Sequence, residues 1–204
     1  MTSEDNKNQA LEQIKTFHPL TSDEIKNLES FVELLLEKNT EFNLIGKSTI
    51  EDIWNRHILD SAQLLRFIDN KDLKFADLGT GAGFPGIVLS ILGVKEMHLI
   101  DKSFRKTEFL RLAKEISPNK VFVHCNKLEE MAEIKFDCIT SRALAPLNKL
   151  LAHNQKFLEK DGYCLFLKGK SLNTEIELAK ENFDFNYDLY SSLTSQESNI
   201  IKIK

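Results

Sequence analysis

This chain of 204 residues is short of several things, and each shortage removes a class of function. It has three cysteines, Cys125, Cys138 and Cys164, an odd number set far apart in apolar surroundings with no CxxC pair. They read as reduced core residues of a cytoplasmic protein rather than disulfides or metal ligands. No apolar run approaches the roughly 18 residues that cross a bilayer. The opening MTSEDNKNQA has no apolar stretch of the kind a secretion signal needs. Positive charge is not in excess: 27 Lys and Arg stand against 31 Asp and Glu, a net charge of −4. That argues against a surface coated in cation for indiscriminate nucleic-acid binding, and leaves room for a local basic patch. There is no internal repeat, low-complexity segment or flexible linker. The expectation is one domain over 1–204, cytoplasmic and monomeric, without membrane or metal.

What is present follows a clear order. Residues 1–10 look frayed. Thr21 and Glu24 have capping-box spacing, and Ile25, Leu28, Phe31, Val32, Leu35 and Leu36 then recur at helical intervals. After a polar link around 39–48, Ile53, Trp54, Ile58, Leu64, Leu65 and Ile68 form a second helical pattern. Residues 1–70 thus read as a helical cap. From residue 71 strands and helices alternate. Strands are expected at 74–78, 96–100, 120–124, 136–140 and 163–167, and helices at 86–92, 103–116, 145–159 and 172–181. Pro118 and Pro146 fall at helix boundaries. Alternation of this kind predicts an α/β fold with a parallel doubly wound sheet. Two late strands, near 184–190 and 198–203, suggest a closing hairpin that adds an antiparallel strand at the edge, for seven strands in all.

Glycine is scarce, eight in all, yet Gly79, Gly81, Gly83 and Gly86 crowd into FADLGTGAGFPG at 75–86. An apolar strand, a tight turn and a helix are implied. Glycine there lets the backbone turn at positive φ and lets a ligand press against it, beside the free N–H groups of a helix start. Three cofactor readings compete. GxGxxG, the dinucleotide fingerprint, occurs as Gly81, Gly83 and Gly86, but two residues late. Asp-x-Gly-x-Gly-x-Gly, from Asp77 to Gly83, fits better. A carboxylate at Asp77 would repel a pyrophosphate and suits a ligand with cationic groups, such as S-adenosylmethionine. A structural turn with no ligand is the third reading. The phosphate loop GxxxxGK[ST] is absent. Asp101, ending the next strand, can accept ribose hydroxyls from either cofactor. After strand three, Leu128 can pack on an adenine ring and Glu129 accept from its amine, or LEEMAE is simply an acidic helix start.

The fourth strand, FDCITSRALAPL, ends where a methyl acceptor would lie. The (Asp/Asn)-Pro-Pro-aromatic turn of exocyclic-amine methyltransferases is missing, and so is the Pro-Cys pair of cytosine-C5 enzymes. Arg142 stands there instead, for a cofactor carboxylate, a phosphate or a guanine edge, or else in an ion pair with Asp77 or Asp137. A ring nitrogen such as guanine N7 suits these absences. It has a lone pair and no proton to lose, so alignment suffices and no catalytic acid, base or nucleophile is required. Arg56, His57, Lys102, Arg105, Lys106, Lys168 and Lys170 are candidate contacts to phosphates, each otherwise a solvated or, for His57, a core residue.

With those segments located, the chain resembles the RsmG (GidB) family, bacterial methyltransferases of guanine N7 in small-subunit (16S) ribosomal RNA. The matching stretches are RHILDS (Arg56 to Ser61), DLGTGAGFPGI (Asp77 to Ile87), the LID strand end with its basic helix (Leu99 to Leu112), SRAL (Ser141 to Leu144) and LKG (Leu167 to Gly169). The opening helix, LTSDEIKNLESFVELLLEKNTEFNLIG, matches too, and the likeness runs over roughly 20–203. It implies a Rossmann-like class I methyltransferase fold, S-adenosylmethionine contacts at Gly79, Phe84, Leu128, Glu129 and Arg142, and a basic substrate surface that includes Lys168. Lys127 departs from the family's usual arginine and loses the bidentate fork. The acidic net charge suggests recognition of a presented ribosomal surface. Two other classes stay open: a small-molecule methyltransferase, whose cap should form a closed apolar pocket, and a cofactor-binding module without turnover.

Overall fold

The computed structural model describes residues 3–204. The cap holds two long helices, α1 (Ser3–Lys15) and α2 (Ser22–Phe42), then a π-helix (Trp54–Leu59) that runs into α3 (Asp60–Ala62) and a 3-10 turn (Gln63–Phe67). The expectation of a frayed start is wrong over residues 3–10, and residues 1–2 lie outside the described ones. Ala10, Leu11 and Ile14 form a short apolar face that is buried, and α1 packs it against the π-helix. Three apolar residues give little periodicity, so tertiary docking holds this helix rather than its own propensity. At α2 the capping box is formed: Thr21 and Glu24 satisfy each other's backbone N–H groups. The helix continues through the expected polar link to Phe42 and stops where Asn43 takes a left-handed φ of 51°.

The sheet comprises β1 (Lys74–Leu78), β2 (Glu96–Asp101), β3 (Lys120–Cys125), β4 (Phe136–Arg142), β5 (Leu158–Lys168), β6 (Tyr187–Ser191) and β7 (Asn199–Ile203). Its order is β3-β2-β1-β4-β5-β7-β6, with β1 to β5 parallel and β7 antiparallel to both neighbours. Helices α4 (Gly86–Ile91), α5 (Phe104–Ala113), α6 (Leu147–Phe157) and α7 (Leu172–Lys180) connect them. Two apolar layers result, one under the cap with α4 and α5, the other under α6 and α7. One expectation needs correcting. The antiparallel strand is not at the edge, because β7 lies between β5 and the outermost β6. The residues explain the choice. Ile200, Ile201 and Ile203 are buried, while YDLYS on β6 is mostly exposed, so the more apolar strand takes the position flanked on both sides.

Candidate active site

The glycine loop is folded by its own short-range bonds. Gly79 and Thr80 donate to the Ile100 carbonyl at 2.8 and 3.1 Å, which hangs the loop from the end of β2. Gly79, Gly81 and Gly83 have φ of 66°, 61° and 92°, the region glycine alone enters freely. Around Gly81 a side-chain carbon would meet nothing nearer than 3.9 Å, so this part of the backbone is open to a ligand. Gly86 is different: a Cβ there would press on Leu99 and lie 2.9 Å from Asp77 Oδ2.

Asp77 does not face the crevice. It is completely buried beneath the loop, where Oδ2 accepts from Thr80 Oγ1 at 2.5 Å and from the Gly86 N–H at 2.9 Å, and Oδ1 from Thr140 Oγ1 at 3.4 Å. Burial lifts its pKa to about 7 against the pull of those donors. The expected repulsion of a pyrophosphate by an exposed carboxylate is therefore not how Asp77 acts; it braces the loop from within. The expected free N–H of Gly86 at the start of α4 is used up by the same carboxylate. Asp101 does reach the crevice. Its Oδ2 accepts from the Gly81 N–H at 3.0 Å and its Oδ1 from the Ser103 N–H at 2.8 Å, leaving lone pairs on both oxygens.

Beside this loop lies a cavity of about 620 Å³, whose lining includes Gly79, Asp101, Lys106, Leu128, Glu129 and Leu144. The volume suits a nucleoside-sized cofactor. Leu128 is 9% exposed, and Glu129 is exposed on its rim, with Oε1 3.9 Å from His153 Nε2. No helix starts at LEEMAE; residues 128–130 form a turn, and an irregular stretch over 131–135 carries the chain to β4. Phe84 does not line the cavity. Its ring is 2% exposed, packed on Phe31 at 5.4 Å and stacked on His57 at 4.8 Å. The Phe84 ring thus packs in the core, and a cofactor contact at this position would have to come from its backbone.

Across β4 lies a second cavity, of about 840 Å³, between the tips of β4 and β5, the π-helix and the β6–β7 loop. The two cavities share the wall Ala143–Ala145. Ala143 has φ of 52°, strained for a residue with a Cβ, and this turn lays Leu144 directly over Gly79.

Arg142 joins the motifs. Its Nη1 donates to the Arg56 carbonyl at 3.0 Å and to Asp60 Oδ2 at 3.3 Å, its Nη2 donates to His57 Nδ1 at 2.9 Å, and its guanidinium lies 5.0 Å from the centre of the Phe84 ring. Its carboxylate partner is therefore Asp60, neither Asp77 nor Asp137. RHILDS, GFPG and SRAL are one physical unit closed around one guanidinium. Since Arg142 must donate, His57 carries its proton on Nε2 and donates to Thr49 Oγ1 at 3.0 Å. Burial, then the charges of Arg142 and Arg56, push the imidazole pKa down to about 3. A buried neutral histidine holds no phosphate, so His57 is corrected from a substrate contact to part of this latch.

Lys168 is also corrected. Its side chain is 7% exposed, paired with Glu175 Oε2 at 2.5 Å and bonded to the Ala145 carbonyl at 2.9 Å. It holds the wall between the cavities in place and is not a free surface cation. Arg56 lines the second cavity and is exposed. Arg105 is exposed on α5 outside both cavities. Sequence reasoning missed Asp60, Leu144 and the tie from Asp60 Oδ1 to Thr194 Oγ1 at 2.8 Å. Asp60 and Leu144 stood inside quoted motifs, but nothing in a linear pattern pairs residues 82 positions apart. Cys138 and Cys164 are buried, and burial raises both thiols, which removes them as nucleophiles.

Solved structures share this architecture. A ribosomal protein L11 methylase from Lactobacillus delbrueckii subsp. bulgaricus superposes with a TM-score of 0.62 at 22% identity, covering 73% of this chain and 78% of that one. Magnesium protoporphyrin IX methyltransferase from Synechocystis PCC 6803, with bound S-adenosylmethionine, gives a TM-score of 0.61 at 15% identity over 91% and 98% of the two chains. Fold and crevice define a Rossmann-like, S-adenosylmethionine-dependent methyltransferase. Residues 24–202 match the family described as GidB, rRNA small subunit methyltransferase G. The ribosomal RNA small subunit methyltransferase G of Orientia tsutsugamushi (strain Boryong) is 40% identical over 198 residues, 95% of this chain and 99% of that one. Its namesake from Rickettsia prowazekii (strain Madrid E) is 42% identical over 182 residues, 89% and 94% of the two chains. The chain belongs to this family.

Proposed function

We propose that this protein methylates N7 of a guanine in small-subunit ribosomal RNA, with S-adenosylmethionine as donor. The observation that carries the reading is the pair of cavities meeting at Ala143–Ala145, one beside the glycine loop and one lined by charged side chains. Gly79, Gly81, Asp101, Leu128 and Glu129 would hold the cofactor: the open Gly81 backbone against its amino-acid part, Asp101 on the ribose, Leu128 on the adenine. Arg142, fixed by Asp60, keeps one Nη2 hydrogen and its Nε–H for a ligand at the second cavity. The cofactor supplies an electrophilic sulfonium methyl, and N7 brings a lone pair and no proton, so methyl and positive charge pass together to the base. Nothing must be deprotonated. The chain's task is alignment and exclusion of water, which a wall held by Lys168–Glu175 and a latch held by Arg142–Asp60 can do. No side chain on the shared wall is a free acid, base or nucleophile.

The second cavity is bordered by Arg56, Asp60, Arg142, Lys168, Lys170 and Glu175. Such a lining disfavours the closed apolar pocket expected of a small-molecule enzyme. With Arg56 exposed on its border and Lys102 exposed on the border of the first cavity, it suits a base presented by a polyanion. We read the chain as a single domain acting as a monomer in the cytoplasm. Among the described residues no helix is long and apolar enough to cross a membrane. Nucleoside mass spectrometry of small-subunit rRNA from strains with and without the gene tests the reading. One 7-methylguanosine should vanish with the gene, and an unchanged profile refutes it.

A further inference from the structure

Three carboxylates line the second cavity: Asp60, Glu175 and Glu197. Two are fully engaged. Asp60 accepts from Gln63 Nε2 at 2.9 Å, Thr194 Oγ1 at 2.8 Å and Arg142 Nη1 at 3.3 Å. Glu175 accepts from Lys168 Nζ at 2.5 Å, the Leu147 N–H at 2.9 Å and Ser171 Oγ at 2.6 Å. Glu197 is exposed, and among the described residues its carboxylate accepts no hydrogen bond and forms no ion pair; only its backbone N–H is used, by Ser195 Oγ at 3.2 Å. The loop that carries it is nonetheless held. Gln63 Oε1 accepts from the Leu193 N–H at 2.8 Å, Asp60 holds Thr194, and the Ser192 N–H donates to the Ser198 carbonyl at 3.0 Å.

We propose that Glu197 reads the target base by accepting from guanine N1–H and N2–H2, an inference that rests on the guanine-N7 reading above. Methyl transfer requires N7 to reach the sulfonium methyl directly, so it must sit where the two cavities meet, at the edge formed by Ala143–Ala145. The N1 and N2 donors lie on the opposite side of a purine from N7, so they point away from that edge into the second cavity, whose border includes Glu197 on the β6–β7 loop. Two parallel N–H donors are matched by the two oxygens of one ionised carboxylate. Adenine turns an unprotonated N1 to the same position and meets a carboxylate with no donor to offer, so the same contact rejects it.

The test uses small subunits reconstituted from transcribed rRNA, with the methylated guanosine located by mapping the wild-type product. Methyl incorporation from labelled S-adenosylmethionine is measured on this substrate and on one with inosine, which lacks the N2 amine, at that position. Glu197→Ala and Glu197→Gln should slow transfer to guanosine about 10- to 100-fold while S-adenosylhomocysteine binds as to wild type. Inosine should slow the wild type about 10-fold and leave Glu197→Ala no slower than on guanosine. Full activity of the variants overturns the proposal, and so does an inosine penalty in Glu197→Ala equal to that of the wild type. If the wild type makes no 7-methylguanosine on the guanosine substrate, the reading of function falls first and this inference with it.

Discussion

The two sides of the crevice are built differently. The cofactor side is local: the glycine loop is held by Ile100, Asp101 and Asp77, all within about one strand–helix–strand unit. The acceptor side is assembled from afar. Arg142 meets residues 82 to 86 positions away, and the Asp60–Thr194 bond spans 134. A locally coded site survives small changes elsewhere, whereas one closed by single long-range ion pairs fails when any partner is lost.

The largest expected effect is on the local side. Gly81→Val puts a branched Cβ where only open space and φ of 61° exist. Binding of S-adenosylhomocysteine should disappear from calorimetry, while the left-handed strain costs about 1–2 kcal/mol and leaves the fold intact. Retained binding would mean that the ligand does not press on this backbone. On the distal side, Asp60→Ala frees both Arg142 and Thr194. A loss of roughly 2–3 kcal/mol is expected, seen as a melting temperature about 5–10 °C lower. An unchanged melt would show that the latch does not hold the cap to the sheet.

Acid should sharpen the same contrast. His57 has a folded pKa of about 3 against an ordinary 6.5, so its stabilising contribution is present above pH 6.5 and is lost as the pH falls toward 3. Asp77 runs the other way, from an ordinary 3.8 to about 7, so its contribution is present below pH 3.8 and is lost as the pH rises to 7. Subtracting the unfolding curve of His57→Gln isolates the histidine. The difference should shrink by about 2 kcal/mol between pH 7 and pH 5. A difference independent of pH rules out a neutral buried imidazole.

The smallest effect separates two cations that look alike in sequence. Lys168→Met should cost about 1–2 kcal/mol of stability, because it leaves Glu175 short of its partner. Arg105→Ala should leave the melt unchanged. It should weaken subunit binding less than 10-fold and lower the salt dependence of binding by about one unit. The reverse pattern would return Lys168 to the substrate surface.

Most strand and helix positions were legible because alternating apolar segments and the proline boundaries are local signals. The first helix was not, since its apolar face is too short to stand out until something packs on it. The order of β6 and β7 followed relative burial, which a hairpin signal does not contain. Asp77 shows the limit within the motif itself. Its position was evident, but whether the carboxylate pointed at a ligand or under the loop depended on Thr80, Gly86 and Thr140 converging on it.

By itself the amino-acid order determined the glycine turn, the parallel sheet and the family, because these rest on residue type and short spacing. Only the tertiary structure decided what Arg142, His57, Phe84 and Lys168 do. Each had a plausible ligand role in sequence, and each finds a protein partner brought from another segment. The reason is physical: a half-buried charge or ring goes to whatever complementary group the fold brings within about 3–5 Å, and chain separation does not encode that distance.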